Sequence, residues 1–279
     1  MRILIDLQGA QTGSRFRGIG RSATALTRAI IRNRGDHEVL ILLNGLFPDT
    51  IDPIRKEFAA ILPADHIVVF AAPSPVSARV AENAWRVEAA ELIREWVINA
   101  LAPDAVLITS LFEGWIDPAV GSIRRLETTT KTAVLLHDLI PLLDAERYLG
   151  DPLERTWYFS KIDFLRRSDL LLAVSDSSRR EAIDAIGFDP GRVTSIYSAA
   201  DERFVNDSFS LDDSRAFLKS LGIRRRFVMH ASKIEPRKNF EGLIRAFGLL
   251  PKPIRETHQL VLVGDYRPEI DKLTPLRRL

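Results

Sequence analysis

The chain has 279 residues, 46% of them hydrophobic and 27% charged, with a formal net charge of +2 and no cysteine. That length allows one large or two ordinary domains of common soluble composition. The values exclude a disulfide framework, a Cys-based zinc site, a thiol nucleophile and a global nucleic-acid signature, and no apolar run approaches the ~20 residues that span a bilayer.

Charge is uneven along the chain. Residues 1–34 hold seven arginines against one aspartate, a local charge of +6 suited to phosphate groups or an acidic lipid surface. The N-terminus lacks a signal-peptide layout and goes straight into a strand pattern, Ile3-Leu4-Ile5. Gly9, Gly13, Gly18 and Gly20 punctuate the following loop, which ends in Arg17-Gly18-Ile19-Gly20-Arg21 and leads into a helix with Ala23, Leu26, Thr27 and Ile30 on one face. Val39 to Leu43 reads as a strand, Ile54 to Ile61 as a helix and Ile67 to Phe70 as a strand. A long helix is expected from about Ser77 to Leu101, with Trp85, Ala89, Leu92 and Trp96 as its core-facing stripe.

Ala105 to Ile108 is a strand leading into Thr109-Ser110-Leu111-Phe112-Glu113-Gly114. Ala133 to Leu136 is another, ending in His137-Asp138. A helix follows at about 152–167, then a strand from Leu170 to Val174 and a serine cluster. Ser178 with Glu181 has the spacing of a capping box for a helix to Ile186. After a strand at Val193 to Tyr197, residues 198–212 are polar and irregular. A short helix at 213–220, a strand at 226–230, a helix at 239–250 and a strand at 259–263 complete the pattern.

Short strands alternate with helices throughout, and several strands are wholly apolar, as expected when helices cover both faces of a sheet. The expected fold is α/β: a Rossmann-like, doubly wound parallel sheet in residues 1–200, a linker at 201–220, and the start of a second Rossmann-like domain at 221–279. Ligands on such sheets bind beyond the carboxyl ends of the strands, so the loops after residues 7, 108, 136, 174 and 231 should share one rim.

Three constellations carry chemistry. Gly18 and Gly20 let backbone approach a ligand at a helix N-terminus, where unpaired N–H groups favour anions. As a dinucleotide fingerprint the loop fails, because position 23 is alanine and the loop is too long. His137 stands where it can donate a hydrogen bond or act as a base, with Asp138 beside it, and Ser110 and Glu113 lie on the neighbouring loop. Lys233, Arg237 and Lys238 form a basic strand-to-helix loop, N-capped by Asn239, that reads either as a diphosphate site or as a solvated turn. The five histidines show no metal spacing, and neither a nucleophile elbow nor a Walker loop is present.

In order, the segments FRGIGR, HDLIPL, SDSSRREAI…GRVTSIYSAADERF and SKIEPRKNFEGLIRAF…LVLVGD resemble the retaining, nucleotide-sugar-dependent glycosyltransferases of B-type fold, two Rossmann-like domains facing across a cleft. Within that family the resemblance is to bacterial mannosyltransferases that build O-antigen polysaccharide, and it runs from residue 1 to about 265. It implies an acceptor-side first domain, a Gly18 and Gly20 loop near the donor diphosphate, and His137 on the donor hexose. Lys238 and Lys233 would grip the diphosphate, with Arg237, Arg17, Asp138, Glu113 and Ser110 as donor or acceptor contacts.

It also implies a GDP-mannose-type donor, no metal, a glycan or lipid-linked glycan acceptor, no nucleic-acid partner, and a cytoplasmic location with peripheral membrane contact. Many members carry arginine where Lys233 stands, and lysine keeps the charge but loses the bidentate fork. The family's Glu-x7-Glu motif has no counterpart here, so the chain is expected to be a truncated form with little activity alone. Two other functions fit less of the pattern. One is a non-catalytic module of a polysaccharide-assembly complex; the other is a nicotinamide-dependent oxidoreductase, which lacks its third glycine and its acidic residue.

Overall fold

The structure, a computed structural model, describes residues 1–199, 210–232 and 236–264. The chain divides into two compact units, Met1–Asp201 and Glu202–Leu279.

The first unit contains β1 (Arg2–Asp6), α1 (Gly18–Arg32), β2 (Glu38–Asn44), α2 (Pro48–Phe58), β3 (Ile67–Phe70), α3 (Ala84–Leu101), β4 (Ala105–Ile108), β5 (Lys131–Leu136), α4 (Ile140–Leu143), α5 (Ala145–Tyr148), α6 (Pro152–Arg166), β6 (Leu170–Ala173), α7 (Asp176–Ile186) and β7 (Val193–Ser195). The seven strands form one parallel sheet of order β3-β2-β1-β4-β5-β6-β7. Ile5 stands opposite Ile41 on one side and Leu107 on the other.

The wholly apolar strands follow from helices on both faces. Successive side chains alternate between two cores: Leu4, Leu40, Leu42, Val106 and Ile108 enter one, and Ile5, Val39, Ile41, Leu43 and Leu107 the other. Helices α1 and α2 supply Ala23, Ile31, Ile54 and Phe58 to the second core, while α3, α6 and α7 supply Ala90, Ile98, Ile162, Leu165 and Ala182 to the first. The topology reverses between β1 and β4, so the loops leaving their carboxyl ends diverge and open a crevice there.

Helix α3 departs from its expected orientation. It begins at Ala84 rather than Ser77, and its tryptophan stripe faces outward: Trp85 and Trp96 are 63% and 64% exposed. The buried face carries Glu91, Arg94, Glu95 and Ile98, which share the same helical spacing. Segment 109–130, which holds neither helix nor strand, bonds along this face. Arg94 donates through Nε to Asp6 Oδ2 at 2.7 Å and through Nη1 to the Ser122 carbonyl at 3.1 Å. Glu95 accepts from Ser122 Oγ at 2.6 Å and from the Arg125 and Leu126 N–H groups at 2.7 and 2.8 Å. Glu91 pairs with Lys161, whose ammonium also donates to the Gly121 carbonyl. The charged face can lie inward because irregular backbone and Lys161 supply it with partners, without which each buried charge would cost several kcal/mol.

The second unit contains α8 (Leu211–Ser220), β8 (Arg226–Ala231), α9 (Phe240–Gly248), α10 (Lys252–Thr257) and β9 (His258–Val263), with β8 and β9 paired in parallel. Ser210 caps α8 through the Asp213 N–H, so this helix occupies half of the expected linker. Of the expected buried face of α9, Phe240 is buried against His230, ring centroids 5.0 Å apart, and Leu243, Ile244 and Phe247 are half-covered. Among the described residues no helix is long and apolar enough to cross a membrane.

Candidate active site

The rim of the first unit gathers most of the singled-out residues at the β1/β4 switch point. After β1 the chain makes two 3-10 turns, Gln8–Ala10 and Gly13–Phe16, before α1. Gln8 donates to the Val120 carbonyl at 2.7 Å, and Gln11 to the Asn44 carbonyl at 3.1 Å. The Thr12 hydroxyl accepts from the Ser14 N–H at 3.1 Å. These polar side chains hold a long loop in place of the tight turn that the fold ordinarily uses.

Arg17 sits at the N-cap of α1 without a side-chain cap, and no acidic residue lies in the first turn. The N–H groups there and the exposed Arg17 and Arg21 leave this end open to an anion. Gly20 is needed for packing: a Cβ on it would sit 2.7 Å from the Ser14 carbonyl oxygen, while one on Gly18 would meet nothing.

Four residues from the neighbouring strand ends join this loop. Thr109, after β4, donates its hydroxyl to the Asp6 carbonyl at 2.7 Å. Ser110 Oγ donates to Glu113 Oε1 at 3.1 Å. Glu113 also meets the Ser14 and Thr12 side chains, which ties the β4 loop to the glycine loop; burial, and then the nearby Asp117 charge, push its carboxyl above the usual range.

His137 lies at the end of β5, with Nε2 3.3 Å from the Thr109 carbonyl oxygen. A carbonyl only accepts, so Nε2 carries the proton in this contact. Burial lowers the imidazole pKa from its ordinary value, favouring the neutral ring with Nδ1 as an acceptor. The His137 carbonyl takes the Ser178 hydroxyl at 2.6 Å. Asp138 is exposed and accepts from the Ile140 N–H at 3.1 Å.

The capping box at Ser178 and Glu181 is not formed. Ser175 caps α7 by accepting from the Ser178 N–H, and Glu181 accepts from the Leu139 N–H at 2.8 Å. Both residues brace the turn after His137, because that turn leaves its own backbone groups without ladder partners.

In the second unit, Arg237 and Lys238 end a 3-10 turn, Pro236–Lys238, and Asn239 caps α9 by accepting from the Gly242 N–H at 3.2 Å. Lys238 is half-exposed just before the helix N-terminus. Lys233 lies outside the described residues. Sequence reading missed Gln8, Gln11 and Thr109, whose role is to pair with backbone remote in sequence. Their only signal was position, directly after the carboxyl ends of β1 and β4. Among the described residues no group of three or more His, Cys, Asp or Glu could hold a metal ion.

Comparison with known proteins bears on this arrangement. The family model Glycosyltransferase Family 4 matches residues 16–204. The serotype-specific mannosyltransferase WbdA of Escherichia coli is 39% identical over 270 residues, covering 96% of this chain and 32% of WbdA. The O-antigen chain mannosyltransferase B of Escherichia coli is 29% identical over 143 residues, covering 50% of this chain and 35% of that protein. The chain thus spans about a third of the length of the curated relatives it matches. Among solved structures, Anabaena Alr3699/HepE in complex with UDP and glucose superposes with a TM-score of 0.59 at 20% identity, over all of this chain and 65% of that one. A glycosyltransferase from Rickettsia africae also reaches 0.59 at 12% identity, over 99% of this chain and 64% of that one. These superpositions carry the B-type fold, and with the family match over residues 16–204 the chain belongs to Glycosyltransferase Family 4.

Proposed function

We propose that the chain acts in retaining transfer of a hexosyl group, specifically mannosyl, from a nucleoside-diphosphate donor to a glycan acceptor in cell-surface polysaccharide synthesis. The observation that carries this reading is the rim at the β1/β4 switch point, in a chain of this family. There His137 bonds Thr109, and the adjacent Ser110 bonds Glu113, which meets the glycine loop, beside an uncapped helix N-terminus.

Residues 1–200 take the acceptor side and residues from 221 on begin the donor side. The neutral His137 offers Nδ1 to a hydroxyl of the donor hexose. The Gly18 and Gly20 backbone and Arg17 approach the diphosphate, and Lys238, Lys233 and Arg237 neutralise it as it leaves, which is electrostatic stabilisation of a departing charge without a metal. Ser110, Glu113 and Asp138 face the acceptor. The WbdA relatives are named as mannosyltransferases and the HepE complex holds UDP and glucose, so a mannosyl and a glucosyl donor both belong in the test. A lipid-linked glycan is the acceptor that fits the arginine-rich segment, which would also hold the protein at the cytoplasmic face of a membrane.

Calorimetric titration with GDP-mannose and UDP-glucose, followed by a transfer assay onto a mannose-terminated acceptor with NMR reading of the new anomeric proton, tests this. Saturable donor binding, weakened about tenfold or more in Lys238→Ala, is expected, with slow turnover by this chain alone to an α-anomeric product, since hydrogen bonds to charged groups contribute ~1.5–3 kcal/mol. A protein that neither binds nor turns over any nucleotide sugar refutes the reading.

A further inference from the structure

Two of the chain's four tryptophans meet where segment 109–130 crosses the start of α6. The Trp115 and Trp157 rings lie 5.7 Å apart at 37°. Both are half-exposed, and Trp157 rests in part against the first core. Their placement is firm. The Trp115 carbonyl accepts from Ser77 Oγ at 2.8 Å and from the Arg79 N–H at 2.9 Å. Gly114 before it has φ +98°, and a Cβ there would run into the Ala119 carbonyl oxygen, so the turn admits only glycine. The Lys161 ammonium stands 5.9 Å from the Trp157 ring.

Carboxyls flank the pair: Glu113 two residues before Trp115, Asp117 two after it, and Glu154 one turn before Trp157 on α6. Burial raises all three from the ordinary carboxylate value, and carboxyl oxygens there offer acceptors to a neutral ligand bearing hydroxyls. A pyranose has that chemistry: an apolar C–H face to lay on an indole, and hydroxyls at its edge for carboxyl oxygens.

We propose that Trp115 and Trp157 form a stacking platform for a neutral pyranose oligosaccharide, with Glu113 and Asp117 receiving its hydroxyls. The proposal rests on the glycosyl-transfer reading above and names where the acceptor chain lies. Glu113 links through Ser110 and Thr109 to His137, so the platform begins two residues, at most ~7 Å of chain, from the reacting rim. It holds the acceptor sugars that follow the reacting one.

The test is NMR of the ¹⁵N-labelled chain titrated with mannotriose, reading the four indole Nε1–H signals. Saturable shifts of Trp115 and Trp157 are expected, with Trp96, on the outward face of α3, unmoved. Trp115→Ala and Trp157→Ala weaken mannotriose binding about tenfold or more, their phenylalanine counterparts about threefold or less, and none changes affinity for GDP-mannose. The phenylalanine variants keep the aromatic volume and separate stacking from folding. Stationary Trp115 and Trp157 signals, or alanine variants that bind as well as wild type, overturn the proposal. GDP-mannose binding without mannotriose binding defeats the platform alone; absence of both defeats the donor reading as well.

Discussion

At His137 a contact fixes the tautomer and burial sets the charge. Its Nε2–H is held by the Thr109 carbonyl while burial penalises the imidazolium, so the neutral ring is the resting form. The sign of the linkage follows. Above the unfolded value near 6.5 the ring is neutral in both states and costs nothing. As pH falls through 6.5 the unfolded chain takes up the proton first, and stability declines. A ¹H–¹³C titration of His137 should therefore give a midpoint below 6.5, and a midpoint at or above it contradicts the burial argument.

Glu113 titrates with the opposite sign. Its folded pKa is raised, so its contribution is present below the ordinary carboxylate range and lost as pH rises through the raised value. Glu113→Gln keeps an acceptor for Ser110 and removes the half-buried charge, so its melting temperature relative to wild type should climb between pH 4 and pH 8. A flat difference in thermal melts across that range would show that the carboxylate is solvated in the folded protein.

At the scale of the element, α3 is the informative case, because two stripes of the same period compete for one buried face. Exposed tryptophans lose transfer energy, whereas a buried charge without a partner costs several kcal/mol. Segment 109–130 decides between them by bringing carbonyls, N–H groups and Arg125 to Arg94, Glu95 and Glu91, and α6 adds Lys161 beside Glu91. Arg94 is fully buried on Asp6, so Arg94→Ala should destabilise by about 3–5 kcal/mol, the cost of stranding a buried carboxylate. Trp96→Gln should change stability by no more than about 0.5 kcal/mol, as surface changes do. Urea denaturation of both variants checks the inversion, and a large loss in Trp96→Gln with a small one in Arg94→Ala would restore the tryptophan stripe to the core. Trp115 belongs to the same segment, and Ser77 and Arg79 hold its carbonyl, so the irregular chain that partners the buried charges also carries a rim residue.

For the whole molecule, the seven strands and both hydrophobic clusters lie within Met1–Asp201. A unit of that size with its own core should fold alone. Residues 1–201 expressed separately should give one cooperative thermal transition and dispersed amide signals, and a molten, non-cooperative chain would show that the first unit depends on the second. The His137 rim and the Lys238 loop belong to different units.

Much of this was legible in the residue order. Wholly apolar runs such as Val39 to Leu43 require a sheet covered on both faces, and the strand–helix alternation makes it parallel, which in turn brings the loops carrying Gly20, Ser110 and His137 to one rim. Local chemistry was also readable: Asn239 caps α9 as its type and place imply. What only the tertiary structure decided involves groups far apart in sequence. Which stripe of α3 is buried, where the Ser178 hydroxyl and Glu181 carboxylate bond, and what Gln8 and Thr109 do all depend on groups delivered by segment 109–130 and by neighbouring strands and turns. Helical period reports that a face exists. The choice between two faces of equal period is made by whether buried polar groups find partners, and that is known only once the chain has closed on itself.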